Sequence, residues 1–158
     1  MRYLGLDLGT RSLGIALSDT TLTIATPYKT IKFNENDYES LLPILEDLVS
    51  EFDVVKLVLG LPKNMNNSLG DRANTTVEFK SLLENSLHKE VILQDERLST
   101  VEATNYMLET DISRKKRKKK IDALAANIIL QTYLDKERVK KWKKKEWHLK
   151  FLMMKDKK

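Results

Sequence analysis

The sequence predicts an α/β fold in which helices flank a mixed five-stranded sheet, with the element order β-β-β-α-β-α-β-α-α. Three short strand-like segments come first and are joined by tight turns, which is typical of an antiparallel meander. Beyond residue 38, helical apolar patterns alternate with short apolar runs, as in units that build parallel strands. A length of 158 residues with 41% hydrophobic residues suits one domain with a single core.

The first three strands are predicted from alternation and turn residues. Tyr3–Leu8 alternates with period two, so its three leucines share one face while Asp7 shares the other face with Gly5 and Tyr3. A turn over residues 9–12 leads into a second strand at Gly14–Ser18. Ile24–Phe33 supplies a third strand, whose hydrogen-bond ladder is limited by Pro27.

The middle of the chain predicts two helices alternating with two buried strands. Apolar spacing over residues 38–52 gives a helix that starts near Ser40 or bends at Pro43. Val54–Leu59 is an apolar strand, and residues 79–87 mark the second helix. Val91–Leu93 is another strand, and it runs into Gln94, Asp95, Glu96 and Arg97.

The C-terminal third predicts two further helices and a basic extension. Ser99 begins a capping box and should start one helix. The last helix is predicted from an apolar stripe consisting of Ile121, Leu124, Ala125, Ile128 and Thr132. The low-complexity run Arg114–Lys120 is expected to link these helices. We therefore divide the chain into a domain at residues 1–135 and a basic, frayed helical extension at 136–158.

Charge is distributed unevenly along the chain. Residues 1–112 hold 10 basic and 18 acidic side chains, whereas residues 113–158 hold 18 basic and 5 acidic ones. A basic end on an acidic body indicates nucleic-acid contact, because lysine and arginine displace counterions from phosphates. The alternative is a solvated tail in a lysine-rich protein, since 21 of the 28 basic residues are lysine.

Composition also limits the kinds of site and the cellular location. The chain has no cysteine, and its only histidines, His88 and His148, are far apart, so a thiolate or zinc site is not expected. Any metal should be bound by oxygen, as Mg²⁺ or Mn²⁺ is. No apolar run approaches the roughly 20 residues that span a bilayer, and the N-terminus opens into a strand, so we expect a cytoplasmic protein without membrane contact.

Carboxylates lie at three places in the sequence that the predicted fold could bring together at one edge of the sheet. Asp7 lies near the end of the first strand, Asp95 and Glu96 end the last strand, and Asp122 lies in the first turn of the last helix, off its apolar stripe. Converging carboxylates repel one another unless a divalent cation binds them, and two such ions support phosphoryl displacement. Each acid also has a structural alternative: a strand-end turn, a charge on the helix dipole, or an ion pair with Arg97.

Several polar residues are candidates for contact with a nucleic-acid backbone. The loop from Gly60 to Ala73 carries neutral donors and charges, and its glycine allows close approach of a ligand. The candidates in this loop and elsewhere are Thr10, Arg11, Lys63, Asn64, Arg72, Arg97, Lys119 and Lys120. An ordinary polar connection and a basic linker remain the alternatives.

Four ordered motifs resemble one protein family. They are Gly5 to Ala16; Gly60 to Met65 with Ser68, Gly70, Arg72 and Ala73; Asp95 to Thr100 with Glu102 and Ala103; and Lys119 to Asp122 with Ala125, Ala126 and Ile129 to Gln131. In order and spacing these segments resemble the YqgF/RuvX family, whose members are described as Holliday-junction resolvases or as pre-16S ribosomal RNA nucleases. The resemblance covers about residues 1–135.

The resemblance implies a ribonuclease H-like fold and a hydrolase that matures the 5′ end of small-subunit ribosomal RNA. It also implies catalytic, metal-binding carboxylates at Asp7, Glu96 and Asp122, with Asp95 as the substitute for Glu96. In related resolvases the second acid ends the strand that here reaches Gly60, where this chain has no acid. The implied partners are pre-rRNA or branched DNA and a ribosomal component, with the chain a monomer or a homodimer.

Two other functional classes compete with the RNA nuclease. A Holliday junction resolvase would need two active sites about a dyad, and therefore a dimer. A non-catalytic RNA-binding assembly factor would use the basic end for affinity and the acids only for structure. An actin-like ATPase also begins with a strand and a glycine-threonine turn, but its site needs two facing domains, which 158 residues cannot supply.

Overall fold

The structure, a computed structural model, describes residues 1–62, 70–95 and 114–155, without the side chains of 114–122. Five strands form one mixed sheet in the order β3-β2-β1-β4-β5. They are β1 (Arg2–Leu8), β2 (Ser12–Ser18), β3 (Ala25–Lys32), β4 (Val54–Leu61) and β5 (Glu90–Asp95). β1 pairs antiparallel with β2 and parallel with β4, which confirms the predicted meander and mixed sheet.

In the described part of the chain, three α-helices cover the two faces of the sheet. They are α1 (Leu42–Glu51), which follows a 3-10 turn at Tyr38–Leu41, then α2 (Asp71–Leu87) and α3 (Arg114–Lys155). α1 and α2 pack on one face and α3 crosses the other, so the domain has three layers. Pro43 lies in the first turn of α1, where its missing N–H has no intrahelical partner to lose. The helix predicted from Ser99 lies outside the described residues.

The strands follow the predicted alternation. Leu4, Leu6 and Leu8 are buried against α1 and α2, and Tyr3 packs on the opposite face with α3. β3 is an edge strand, which is where Pro27 is tolerated because no further strand needs its missing donor.

Two predictions about the last helix are wrong. The basic run Arg114–Lys120 is not a linker but the beginning of α3, and the chain continues as helix to Lys155. The sequence contains no glycine or proline after Gly70, and lysine and arginine are good helix formers, so nothing interrupts this helix. Within the described residues, no helix combines the length and apolar composition needed to cross a membrane.

The apolar stripe of α3 is also shifted from its predicted phase. The residues buried on the sheet are Ala123, Ala125, Ala126, Ile129, Leu130 and Leu134. Leu124 and Ile128 are only half-buried and Thr132 is exposed. The reason is close packing: Ala126 and Leu130 lie against Gly5, whose missing side chain lets this side of the helix approach the sheet, and the periodicity of the helix alone contains no signal of that contact.

Candidate active site

Asp7 lies near the carboxyl end of β1, the central strand of the sheet. It is half-buried and opposite Gly14 of β2. Because side chains alternate along a strand, Asp7 shares the α3 face with Gly5 and Tyr3, as the sequence predicted. The loop after β1 returns tightly, with the Gly9 amide donating a hydrogen bond of 2.7 Å to the Ser12 carbonyl.

Gly5 permits α3 to lie almost against the backbone of β1. A Cβ atom at this position would stand 2.7 Å from the Cβ of Leu130 and 2.9 Å from the carbonyl oxygen of Ala126. Both distances are shorter than ordinary contacts, so no other residue type fits without a shift of the helix. The Gly5 contact therefore determines how closely α3 approaches the sheet and which of its residues lie over β1, on the same face as Asp7.

The direction of α3 follows from a second contact at the other end of β1. The rings of Tyr3 and Tyr133 lie 6.0 Å apart, so the helix passes from Gly5 toward Tyr3 as its residue numbers rise. α3 is therefore antiparallel to β1. Its earlier turns lie toward the carboxyl end of β1, where Asp7 is found.

A half-buried lysine attaches α3 to the sheet. Lys56 of β4 donates hydrogen bonds to the hydroxyl of Tyr133 (3.0 Å) and to the carboxylate of Glu137 (3.2 Å). Its ammonium also lies 4.9 Å from the centre of the Tyr3 ring, within the range of a cation–π contact. Tyr133 in turn donates a 3.0 Å hydrogen bond to Glu137.

These contacts change the ionisation of the cluster. Burial by itself would disfavour the Lys56 ammonium, but hydrogen bonds with Tyr133 and Glu137 outweigh it and raise the pKa of Lys56. Burial would likewise raise the pKa of Glu137, and hydrogen bonds from Lys56 and Tyr133 instead lower it. Lysine and glutamate therefore stay charged and paired at neutral pH.

Gln131 joins α3 to the edge of the sheet. Its side-chain oxygen accepts a 2.8 Å hydrogen bond from the Ala25 amide, and its nitrogen donates one of 3.0 Å to the Thr23 carbonyl. The turn before β3 is held by Asp19, whose pKa is lowered to about 2 by the Thr21 hydroxyl and by the amides of Ile24 and Thr23. α3 is thus attached to β1, β3 and β4.

Two of the described candidates for nucleic-acid contact, Arg72 and Arg11, also have structural partners. The Arg72 guanidinium donates a 2.7 Å hydrogen bond to the carbonyl of Leu8, the residue after Asp7. Arg11 is 3.5 Å from Glu35 on the surface, and Thr10 is exposed. Both remain accessible beside the end of β1.

Asp95 is separated from Asp7 in two ways. It ends β5, two strands from β1, and pairs in register with Leu61 of β4. Its neighbours define its face, because Leu93 packs on the α1 and α2 side, whereas Gln94 accepts a hydrogen bond from Lys136 of α3. Alternation therefore puts Asp95 on the side of Leu93, opposite to Asp7.

The remaining predicted site residues cannot be compared with the structure at the side-chain level. Lys63, Asn64, Glu96 and Arg97 lie outside the described residues. Lys119, Lys120 and Asp122 belong to the backbone of α3, without described side chains. Among the described residues, no three His, Cys, Asp or Glu side chains are grouped closely enough to bind a metal.

The residues that position α3 were not among the predicted functional residues. Gly5, Lys56 and Gln131 were given no such role, although a lysine inside the apolar run Val54–Leu59 is a signal of a buried charge that needs a partner. The partners, Tyr133 and Glu137, are four residues apart and therefore share one face of a helix.

Comparison with known proteins gives one consistent family. The model of the family described as "RuvX: Holliday junction resolvase" matches residues 1–136. Proteins of Bacillus pumilus and Bacillus subtilis, both named "Putative pre-16S rRNA nuclease", are 47% identical over 135 residues, which is 85% of this chain and 98% of each relative. A Listeria monocytogenes protein of the same name is 45% identical over the same length.

Solved structures agree on the fold. Thermus thermophilus RuvC in complex with a Holliday junction substrate superposes with a TM-score of 0.55 at 12% identity, covering 87% of this chain and 96% of that one. The fowlpox virus Holliday junction resolvase gives 0.53 at 15% identity, covering 86% and 99%. The ribonuclease H-like fold expected from the sequence is confirmed.

Proposed function

This chain belongs to the RuvX family, and on that premise we propose that it is a metal-dependent endonuclease acting on the 5′ end of precursor 16S rRNA. We infer the substrate from the names of relatives that are 47% identical to this chain over 135 residues. The observation that carries the proposal is the position of Asp7. A half-buried carboxylate lies at the end of the central strand, on the face that α3 crosses.

The register of α3 supports Asp122 as a partner of Asp7. Asp122 precedes Ala126 by four residues, which is about 6 Å along the helix and nearly one full turn. Asp7 follows Gly5 by two residues, about 6.6 Å along the strand. Because α3 is antiparallel to β1 and Ala126 lies over Gly5, these two displacements run in the same direction and bring position 122 level with Asp7.

We assign the third carboxylate to Glu96. Asp95, the alternative, is on the opposite face of the sheet from Asp7 and two strands away, at about 4.8 Å for each step between strands. Glu96 is the next residue along the chain, and alternation favours it for the face of Asp7.

The donor set fits Mg²⁺ or Mn²⁺. Asp7, Glu96 and Asp122 offer only carboxylate oxygens, which these ions prefer, and the chain has no cysteine that would select a softer metal. When bound, such an ion would stabilise charge on the transferring phosphate and lower the pKa of a water. The chain's own contribution is to hold the carboxylates rigidly through the Gly5, Gln131 and Lys56 contacts of α3.

Basic and polar residues near the end of β1 would orient the RNA backbone. Thr10 and Arg11 are exposed directly after the strand that carries Asp7. Arg72 steadies the Leu8 carbonyl and keeps further guanidinium donors for phosphate. We include Lys63, Asn64, Arg97, Lys119 and Lys120 in this surface, which would recognise backbone shape and not base identity.

The proposal is tested by cleavage of a precursor 16S rRNA fragment with purified protein and Mg²⁺ or Mn²⁺. Asp7→Asn should remove cleavage, because the amide replaces a metal-binding carboxylate oxygen and carries no charge. Asp47→Asn is the matched control, since Asp47 is exposed on α1 at the opposite face of the sheet. Equal cleavage by wild type and Asp7→Asn would reject the enzyme and favour a non-catalytic RNA-binding assembly factor.

A second candidate function is Holliday junction resolution, which the description of the family favours. It differs in substrate and in requiring two active sites about a dyad. Nicking of a synthetic four-way junction by a homodimer, without cleavage of the rRNA fragment, would select it, and a strict monomer would count against it. For the RNA nuclease we expect a cytoplasmic protein, with a ribosomal component as its partner.

A further inference from the structure

The end of α3 forms a helical arm beyond the segment that the family model matches. We define the C-terminal arm as residues 138–155, about 27 Å of helix at 1.5 Å per residue. All of its residues are exposed except Glu146, which is half-buried. The family match ends at residue 136, and relatives matched over 98% of their own length have no counterpart to the arm within that match.

The C-terminal arm is strongly basic. It holds eight lysine or arginine residues and one glutamate, and only two of its cations have an ion pair within the described part of the chain. Arg138 pairs with Asp135 at 2.9 Å, and Lys150 pairs with Glu146 at 3.7 Å. The lysines between residues 140 and 145 therefore present a dense, uncompensated positive charge to solvent. Such a surface favours an anionic partner.

Large aromatic side chains stand among these lysines. Trp142 is 62% exposed and Trp147 70% exposed, and the Trp147 ring stacks on that of Phe151 at 6.1 Å with an interplanar angle of 10°. The two tryptophans are five positions apart in the sequence, which places them about 140° apart around the helix. The arm therefore shows aromatic rings on different sides of the helix, and its last turns carry further exposed apolar residues, Leu149, Leu152, Met153 and Met154.

The positive charge of the arm and the positions of its aromatic rings together favour one kind of binding partner over the others. A second copy of the arm would bring two strongly positive helices together, which like-charge repulsion opposes. A helix on a membrane surface inserts one face, whereas Trp142 and Trp147 lie on sides about 140° apart with three lysines and Glu146 between them, so one bilayer surface would not accept both rings. A flexible single strand of nucleic acid suits both features, since phosphates pair with lysine and unpaired bases stack on exposed aromatic rings.

We propose that the C-terminal arm binds single-stranded RNA that flanks the cleavage site, with lysines on phosphates and Trp142 and Trp147 stacked on bases. The identity of the RNA rests on the proposed function. Because α3 is continuous, residue 147 lies about 37 Å along the helix from residue 122. At about 3.4 Å per stacked nucleotide, that distance corresponds to on the order of ten nucleotides. The arm would thus hold substrate well away from the scissile bond.

The charge contribution is tested by fluorescence anisotropy of the full chain with a labelled 30-nucleotide single-stranded RNA in EDTA. The arm variant combines Lys140→Gln, Lys141→Gln, Lys144→Gln and Lys145→Gln. Its salt dependence, the slope of log K against log salt, should fall by about 3, from about 0.7 for each lost phosphate contact on a single strand. The matched control is Lys80→Gln with Lys89→Gln on and beside α2, and it should leave the slope unchanged.

The stacking contribution is tested with Trp142→Ala and Trp147→Ala together. Affinity for the single strand should fall by about fivefold to a hundredfold for each stacked base, and affinity for a blunt duplex, which has no unpaired bases, should stay the same. Wild-type tryptophan fluorescence should be quenched by the single strand. Because these variants lie on an exposed helix, a folding defect would be visible as a loss of helical circular dichroism.

Either of two results would overturn the proposal. One is that both arm variants bind the RNA with the affinity and the salt dependence of the wild type. The other is wild-type RNA binding combined with lost binding to phosphatidylglycerol vesicles, which would make the arm a membrane-binding element. Metal is chelated throughout, so the readout is independent of catalysis. Arm-dependent RNA binding by a chain that cleaves nothing would reject the nuclease and keep the arm proposal.

Discussion

Gly5→Ala adds one methyl group at the closest approach between β1 and α3. The new Cβ would lie 2.7 Å from the Leu130 Cβ and 2.9 Å from the Ala126 carbonyl oxygen. Carbon atoms pack at about 3.5–4.0 Å, so the helix must move away by at least about 0.8 Å. Overpacking of this kind costs about 1–3 kcal/mol of folding free energy.

The larger consequence concerns the candidate metal site. If Asp7 on β1 and Asp122 on α3 bind one ion, their separation is constrained to about ±0.2 Å by metal–oxygen distances. A helix shift of about 0.8 Å exceeds that tolerance. We therefore expect Gly5→Ala to weaken Mn²⁺ binding at least tenfold and to slow cleavage by about a hundredfold, the usual cost of a displacement near 1 Å.

The matched control removes stability without moving α3. Leu4 lies on the same strand, is fully buried and faces α1 and α2. Leu4→Ala should cost more folding free energy, about 2–5 kcal/mol, yet keep its cleavage rate at a temperature where both variants are folded. Mn²⁺ affinity from calorimetry and single-turnover cleavage give the comparison. Wild-type metal affinity and cleavage in Gly5→Ala would refute the reasoning.

Three further predictions concern contacts around α3 and Asp7. Lys56→Met should lower the free energy of unfolding in urea by about 1.5–3 kcal/mol, because it leaves Glu137 without its charged partner; an unchanged value would contradict this role. Glu137→Gln should be less stable than wild type above about pH 4.3 and should match it at lower pH. The pKa of Glu137 is lowered in the folded protein, so this side chain stabilises the fold only while it is ionised, and the contribution is lost as pH falls through the folded pKa. A pH-independent difference in urea unfolding would reject this assignment. Arg72→Met should reduce kcat/KM for RNA by about tenfold through loss of the hydrogen bond to the Leu8 carbonyl. Arg11→Met should chiefly weaken RNA binding, because among the described contacts the Arg11 side chain makes no such backbone hydrogen bond.

The strands were predictable because their signals are local. Alternation in Tyr3–Leu8 fixed which face of β1 carries Asp7, and the apolar run from Val54 identified β4. Pro27 correctly limited β3, which proves to be an edge strand. Each of these signals depends on residues that are neighbours in sequence.

The packing of α3, the helix that carries Asp122, was harder to predict. Its stripe was placed on Leu124 and Ile128, but the interface uses Ala126 and Leu130 because Gly5 admits the helix so closely. Size complementarity between distant segments cannot be read from the periodicity of either one. The corrected phase bears on the proposed site, since position 122 is about one helical turn before Ala126, which lies against Gly5.

The positioning contacts were missed for a similar reason. A lysine in a strand can be recognised from sequence, but its partner cannot, because Glu137 is 81 residues away. Arg72 was assigned to phosphate contact from its loop, and the structure adds a hydrogen bond to Leu8 across 64 residues. Tertiary contacts of this length depend on how the layers assemble.

A crystal structure of the wild-type chain with Mn²⁺ and its anomalous signal would test the proposed metal site directly. We expect manganese bound to carboxylate oxygens of Asp7 and Asp122 at about 2.0–2.6 Å, with Glu96 completing the set. Absence of metal at Asp7 under saturating Mn²⁺ would contradict the proposed site. A separation of more than about 10 Å between the Asp7 and Asp122 carboxylates would also contradict it, because no single ion, and no pair of ions about 4 Å apart, could then bind both.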